Sequence, residues 1–104
     1  MIWSRKKTAP RKEGVGVVTE VGGHGIGGHM HADPHVPHIG TRGAGVRLKA
    51  GMAITVEPMV NLGGAAVRVL DDGWTIVTAD GSLSAQWEHT VVVTRGGHEI
   101  MTLL

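Results

Sequence analysis

Apolar residues in this chain fall into short β-branched runs or alternate with polar residues, and clusters of Gly, Asp and Pro separate these runs. Both patterns are typical of β-strands. No stretch has the 3.6-residue period of a helix, and no repeat of fixed length is present. The pattern predicts a mostly β domain whose strands span residues 15–21, 52–57, 65–70, 74–78, 85–94 and 98–104.

The predicted strands are joined by residues that favour turns. Asp71-Asp72-Gly73 lies between two short apolar runs and predicts a hairpin. Residues 48–51 and Asp80-Gly81 predict further turns, and Arg95-Gly96-Gly97 closes the run at 85–94. Pro58 ends the strand at 52–57 or places it at an edge, because proline cannot donate to a strand ladder.

Residues 22–45 are rich in Gly, Pro and His and predict irregular backbone. Five of the seven histidines of the chain lie between residues 24 and 38. A loop of more than twenty residues is uncommon in a small domain and is usually functional when it occurs. Because neutral imidazole is the commonest protein ligand for divalent metals, the predicted strand at 15–21 delivers a loop suited to metal binding or proton transfer.

Two glutamates interrupt predicted strands. Since strand side chains alternate between faces, Glu57 shares a face with Thr55, and Glu88 shares a face with Thr90. An unpaired carboxylate inside a β-branched run is expensive to bury. Together with a histidine from the Gly-rich loop, the two glutamates predict a site with one nitrogen and two carboxylate ligands, which suits Mn, Fe, Co or Zn.

Composition narrows the chemistry of such a site. The chain has 104 residues and no cysteine, so a metal must be held by His and carboxylates, and a reducing, cytoplasmic setting fits. Three Trp without Phe or Tyr predict a small aliphatic core. No apolar run is long enough for a signal sequence or a membrane span, so we expect no membrane partner.

Charge is concentrated at the start of the chain. Half of the ten basic residues lie in residues 1–13, and residues 13–104 carry five basic and nine acidic residues, a net charge of −4. We interpret residues 1–13 as a disordered, solvated basic lead-in. A nucleic-acid partner is not expected, because this arm is short, contains Pro10 and lacks interleaved aromatic residues beyond Trp3.

Several motifs together carry a family resemblance, and the order and spacing of all of them fit. They are Gly23-His24-Gly25-Ile26-Gly27, His31, Gly51-Met52, Thr55-Val56-Glu57-Pro58-Met59, Asp72-Gly73-Trp74-Thr75 and Ser82-Leu83-Ser84-Ala85-Gln86-Trp87-Glu88-His89-Thr90. The chain resembles the type I methionine aminopeptidases over residues 14–104, and the last motif is the most specific. The resemblance implies an α+β fold class: the C-terminal half of a pita-bread fold, mostly antiparallel β in this part.

The resemblance also implies roles for particular residues. His24, Glu57 and Glu88 would be metal ligands, His31 and Glu57 catalytic residues, and His31, Met30 and Trp74 substrate-binding residues. The implied activity is removal of N-terminal methionine from nascent polypeptides at two divalent ions, Co, Mn, Fe or Zn. Two cations sharing a water lower its pKa and polarise the scissile carbonyl, with Glu88 as the bridging ligand and Glu57 as the proton shuttle.

The chain also departs from the family pattern. The family takes two further ligands, both Asp, from the first half of its fold, and nothing in this sequence matches that half. We therefore expect a chain that is truncated, mis-started or frame-shifted, holds one metal ion or none, and is inactive alone. The second explanation is a split enzyme that is completed by an N-terminal half supplied in trans. Residues 1–13 are expected to be unrelated to the family.

Two alternatives stay open at this stage. The chain could be a non-catalytic half-fold binding module, which predicts decay of the metal ligands. It could also be a small His-rich protein that binds divalent metal through His29, His31, His35 and His38, independently of the glutamates. If the chain is instead part of an aminopeptidase, His29, His35 and His38 are expected to be exposed loop residues beside the site. His89 faces away from Glu88 and is expected to be packed or hydrogen-bonded, and Trp74 is either a pocket or a core residue.

Overall fold

The structure is a computed structural model that describes residues 14–104. In these residues all regular structure is β, with no helix. The strands are β1 (Gly16–Val17), β2 (Gly23–Gly25), β3 (Ala32–Val36), β4 (Ala53–Val56), β5 (Met59–Asn61), β6 (Val67–Val69), β7 (Ile76–Thr78), β8 (Ser84–Gln86), β9 (His89–Val93) and β10 (His98–Ile100).

The strands form three antiparallel sheets. The largest has five strands in the order β10-β9-β4-β2-β3, the second has three in the order β1-β5-β8, and β6 and β7 form a separate hairpin. This arrangement confirms the prediction of a mostly antiparallel β chain. The predicted lead-in at residues 1–13 lies outside the described residues.

A small aliphatic core lies on one face of the five-stranded sheet. Val36, Ile54 and Val91 come from β3, β4 and β9 and pack together, and partly buried neighbours close around them. Ile54 is 1% exposed. The core therefore joins β4 and β9, the strands that adjoin Glu57 and Glu88, and its composition confirms the prediction of small apolar side chains.

The prediction of irregular backbone throughout 22–45 was wrong. β2 and β3 lie within this range and pair with each other, with His24 opposite His35. The glycines that suggested a loop instead allow close strand packing, since a Cβ on Gly23 would overlap the carbonyl oxygen of Thr55, and one on Gly25 that of Asp33. His24 is therefore held on a strand, and the predicted strand at 15–21 shrinks to β1.

The predicted strand at 85–94 is broken in two. β8 pairs with β5 in the three-stranded sheet, and β9 pairs with β4 in the five-stranded sheet. Trp87 and Glu88 link the two sheets, so Glu88 is exposed and does not lie inside a strand. No Gly or Pro marks the break, which is why the sequence pattern conceals it. β5, which follows Pro58, was not predicted.

The shorter elements agree with the sequence pattern. β6 and β7 form the predicted hairpin, and Gly73 adopts a positive φ of 70° in its turn. The hydroxyl of Thr75 donates to the Asp72 carboxylate, as do the amides of Trp74 and Thr75, and these hydrogen bonds lower the pKa of Asp72. The predicted last strand, 98–104, is present as β10 only. None of the elements in residues 14–104 is a helix able to cross a membrane.

Candidate metal centre

Three neighbouring strands bring the candidate ligands to one face of the sheet. The β4–β9 ladder pairs Thr55 with Thr90 and Val56 with His89, so Glu57 and Glu88 lie opposite each other just beyond its end. On the other side of β4, Gly25 pairs with Ile54, which places His24 beside Thr55. Directly opposed residues of an antiparallel pair share a face, and the three side chains therefore point the same way.

The ligand atoms of these side chains converge. One ligand atom each of His24, Glu57 and Glu88 lies within 4.8 Å of the other two. His24 Nε2 is 3.3 Å from Glu57 Oε1, and these two side chains are only 17% and 16% exposed, whereas Glu88 is exposed. The structure thus brings together the three residues that the sequence singled out as ligands.

The tautomer of His24 decides what this cluster can bind. Its Nδ1 lies 2.9 Å from the carbonyl oxygen of Gly25, and since a carbonyl can only accept, Nδ1 carries the proton. In the neutral ring Nε2 then presents a lone pair toward Glu57. Three acceptor groups facing one point require a cation or a proton between them, and a ring held by a backbone carbonyl is the usual arrangement of a metal-binding histidine.

One nitrogen and two carboxylates form a donor set for Mn, Fe, Co or Zn. Two of the three groups are anionic, and among the ion pairs of the described residues no lysine or arginine balances them, so the cluster presents negative charge to a cation. The residues present therefore fit a divalent metal ion, with His24, Glu57 and Glu88 as the holding groups.

Thr55 was not singled out as a functional residue by the sequence. Its side chain is fully buried, and its hydroxyl donates to Glu57 Oε1 over 2.8 Å. The hydroxyl oxygen of Thr55 also accepts a hydrogen bond from the backbone amide of His24 over 2.9 Å. One hydroxyl thus fixes the carboxylate of one candidate ligand and the backbone of another. The available signal was its position two residues before Glu57, on the same strand face.

The prediction that His38 is an exposed loop residue was wrong. Its ring is partly buried, and its Nε2 accepts the backbone amide of Glu57 over 2.9 Å. Burial lowers the pKa of His38; the negative charge of Glu57 opposes this effect and His35 adds to it. His38 therefore supports the backbone of a candidate ligand, a role that the strand at 32–36 makes possible by orienting the residues after it.

His31 lies at the mouth of the cluster. The centroid of its ring is 4.4 Å from that of His24, with the planes tilted by 56°. Both rings line an open cleft of about 410 Å³, together with Ala32, Asp33 and His35. The structure therefore places the predicted catalytic His31 beside the candidate ligands, where it can reach a molecule bound in the cleft.

The two residues predicted to hold a methionine side chain lie apart from this cleft lining. Met30 is 71% exposed beside His31, and Trp74 is 86% exposed in the connection between β6 and β7. Trp74 is thus not a core residue. A methionine pocket formed by Met30 and Trp74 stays a prediction.

Replacing Thr55 by Val is expected to weaken metal binding, because Val keeps the shape but removes the hydroxyl that orients Glu57. Loss of a partner that orients a ligand typically reduces metal affinity by about 10–100-fold. Thr55→Ser keeps the hydroxyl and is expected to restore most of the affinity. Calorimetric titration with Co²⁺ measures both variants, and equal affinity in Thr55→Val and the parent chain would contradict this role.

A sheet that brings one imidazole and two carboxylates within 4.8 Å of one another defines the chain as a candidate metal-binding domain. The model of metallopeptidase family M24 matches residues 2–95. The chain therefore belongs to metallopeptidase family M24.

Its relatives and structural neighbours are methionine aminopeptidases. It is 54% identical to that of Clostridium perfringens over 91 residues and 55% identical to that of Escherichia coli K12 over 91 residues, in each case 88% of this chain. The methionine aminopeptidase structure from Rickettsia prowazekii superimposes on 93% of this chain with a TM-score of 0.90 and 46% identity. That likeness confirms a partial pita-bread fold.

The matched region is only part of each relative. The chain covers 36% of the Clostridium protein, 34% of the Escherichia protein and 40% of the Rickettsia structure. It thus spans little more than a third of the length of these proteins. The predicted boundary between residues 1–13 and 14–104 stays a prediction.

Proposed function

We propose that this chain provides His24, Glu57 and Glu88 to the metal centre of an aminopeptidase that removes N-terminal methionine from polypeptides. The convergence of these three side chains within 4.8 Å carries the proposal. The methionine aminopeptidases that share about half of its residues support the choice of substrate. Intact, convergent ligands argue against a non-catalytic binding module, in which nothing would maintain them.

The proposed chemistry is hydrolysis of the first peptide bond. Divalent cations at such a site lower the pKa of water and polarise a carbonyl group. Glu57, whose Oε1 is oriented by Thr55, takes the proton of the attacking water and passes it to the leaving amine. Glu88, opposite it, would hold the metal as a second carboxylate ligand. His31 donates to the oxygen or the amide of the reacting group, and Met30 and Trp74 contact the methionine side chain.

We further propose that the two remaining Asp ligands belong to the part of the fold that this sequence does not contain. Three ligands on their own hold one metal ion weakly. They do not hold two, because one His and two Glu cannot balance the charge of a pair of dications. A second polypeptide carrying the N-terminal half would complete the site in trans. We place the protein in the cytoplasm, without a nucleic-acid or membrane partner.

Metal titration of the 104-residue chain tests this proposal. We expect one Co²⁺ or Mn²⁺ ion to bind per chain, and His29→Ala with His35→Ala to leave the affinity unchanged, since neither residue belongs to the cluster. Hydrolysis of a Met-Ala-Ser peptide is expected only when the chain is co-expressed with the missing half.

Two results would overturn the proposal. Metal affinity that falls with the loss of His29 and His35 would indicate a His-rich metal-binding protein. Turnover by the 104-residue chain alone would show that the site needs no further ligands.

A further inference from the structure

Glu88 differs from the other two candidate ligands in how it is placed. His24 lies in β2 and Glu57 directly follows β4, where Thr55 and His38 bond to it. Glu88 is exposed in the two-residue link between β8 and β9, which belong to different sheets. A ligand in such a link depends on its flanking residues for a fixed position.

The residues on either side of Glu88 are bonded to each other. The indole N–H of Trp87 donates to His89 Nε2 over 3.0 Å, and the two rings meet edge to face with centroids 6.1 Å apart. Residues 87 and 89 thus turn their side chains to one side of the backbone. The side chain of Glu88 between them projects to the other side, toward Glu57.

The same histidine connects to the end of the chain. His89 Nδ1 lies 2.8 Å from Thr102 Oγ1, and that oxygen also accepts the amide of Thr90 over 3.2 Å. The amide of Met101 donates to the carbonyl of Thr90 over 2.9 Å, which holds the residues after β10 against β9. Hydrogen bonds to the backbone of Thr90 in β9 therefore fix the position of Thr102 next to His89.

These bonds determine the tautomer of His89. An indole N–H can only donate, so Nε2 is the acceptor and Nδ1 carries the proton that is given to the Thr102 hydroxyl. Only the neutral ring protonated at Nδ1 makes both bonds at once. The chain of donors runs in one direction, from Trp87 through His89 to Thr102.

We propose that Trp87, His89 and Thr102 form a positioning chain that holds the Glu88 backbone where its carboxylate meets His24 and Glu57. The proposal rests on the proposed metal centre. The three residues are positioning residues, because they act on the metal only through Glu88. Their contacts tie metal affinity to the segment after β10, a region that contains none of the candidate ligands.

The test compares the Co²⁺ affinity of three variants of the 104-residue chain. Trp87→Phe keeps a ring but loses the donor, Thr102→Val loses the acceptor, and His89→Ala breaks both bonds. We expect His89→Ala to weaken binding by about 10–100-fold and the other two by about ten-fold, as for other losses of a ligand-orienting partner. Thr94→Val and His98→Ala, on exposed positions outside the positioning chain, are the matched controls and should bind like the parent.

Two further measurements separate positioning from a general loss of folding. His89→Asn retains an N–H near the position of Nδ1 and is expected to recover part of the affinity lost in His89→Ala. In ¹⁵N NMR spectra the parent His89 should show the neutral form protonated at Nδ1, and Thr102→Val should shift its signals while those of His98 stay in place.

The outcomes distinguish this inference from the proposed function. If Glu57→Ala reduces affinity but Trp87→Phe and Thr102→Val do not, the positioning chain is wrong and the metal centre stands. If the parent chain binds no metal, both fail. Because Trp87 is 71% exposed, Trp87→Phe is expected to fold and keeps the test decisive even if His89→Ala does not.

Discussion

Replacing Glu57 by Ala is expected to abolish measurable binding of Co²⁺ or Mn²⁺. Glu57 is the central member of the cluster, 3.3 Å from His24 Nε2 and opposite Glu88 across the end of the β4–β9 ladder. Its loss leaves one imidazole and one exposed carboxylate, which is too few ligands to compete with water. The loss of affinity should exceed the 10–100-fold typical of residues that only orient a ligand.

The variant Glu57→Gln separates charge from shape. Gln keeps the length of the side chain and one oxygen that can accept from Thr55, but it removes the negative charge that draws a dication. We expect it to bind almost as poorly as Glu57→Ala. Glu99→Ala removes an equal charge from the exposed strand β10 and is the matched control. Calorimetric titration checks all three, and retained affinity in both Glu57 variants would place the metal elsewhere.

Much of this centre could be predicted because strand alternation is visible in a sequence. Glu57 and Glu88 each lie two residues from a threonine, Thr55 and Thr90, and therefore share its strand face; the structure pairs these threonines directly. Alternation along a strand shows which of its residues share a face, but it does not show which strands are neighbours. The convergence of both glutamates on His24 depends on β2 lying beside β4, and only the family resemblance indicated that.

The elements that were missed share a physical cause. Residues 85–94 contain no Gly or Pro, so nothing in the pattern marks where β8 leaves one sheet and β9 enters another. Contacts between distant segments are equally invisible. The amide of Glu57 donates a hydrogen bond to His38, 19 residues away, and His89 is hydrogen-bonded to Thr102, 13 residues away. The sequence predicted only that His89 is packed or hydrogen-bonded, which the structure confirms.

The density of glycine between residues 22 and 28 was the most misleading signal. Glycine usually indicates turns because it adopts positive φ, but Gly23 and Gly25 are not among the described glycines with positive φ. Their role is space: they let β2 lie so close to β3 and β4 that no side chain fits between them. A glycine that is needed for its positive φ indicates a turn or loop. A glycine that is needed because another backbone lies too close for a Cβ can instead belong to a strand.

Gly25→Ala is therefore expected to disrupt both the sheet and the metal centre. A methyl group at this position would overlap the backbone carbonyl of Asp33, which cannot move without separating β2 from β3. We expect the free energy of unfolding to fall by about 3 kcal/mol or more, in the range of severe overpacking. His24 is the adjacent residue, so metal binding should be lost as well.

Gly27→Ala is the matched control in the same segment. An added methyl group there meets no atom within 4 Å, and Gly27 is not among the described glycines with positive φ. We expect unchanged metal affinity and a stability that is equal or higher by up to about 1 kcal/mol, because Ala restricts the unfolded chain. Urea denaturation and Co²⁺ titration measure both variants. Equal behaviour of Gly25→Ala and Gly27→Ala would show that β2 does not hold His24 in close contact with β3.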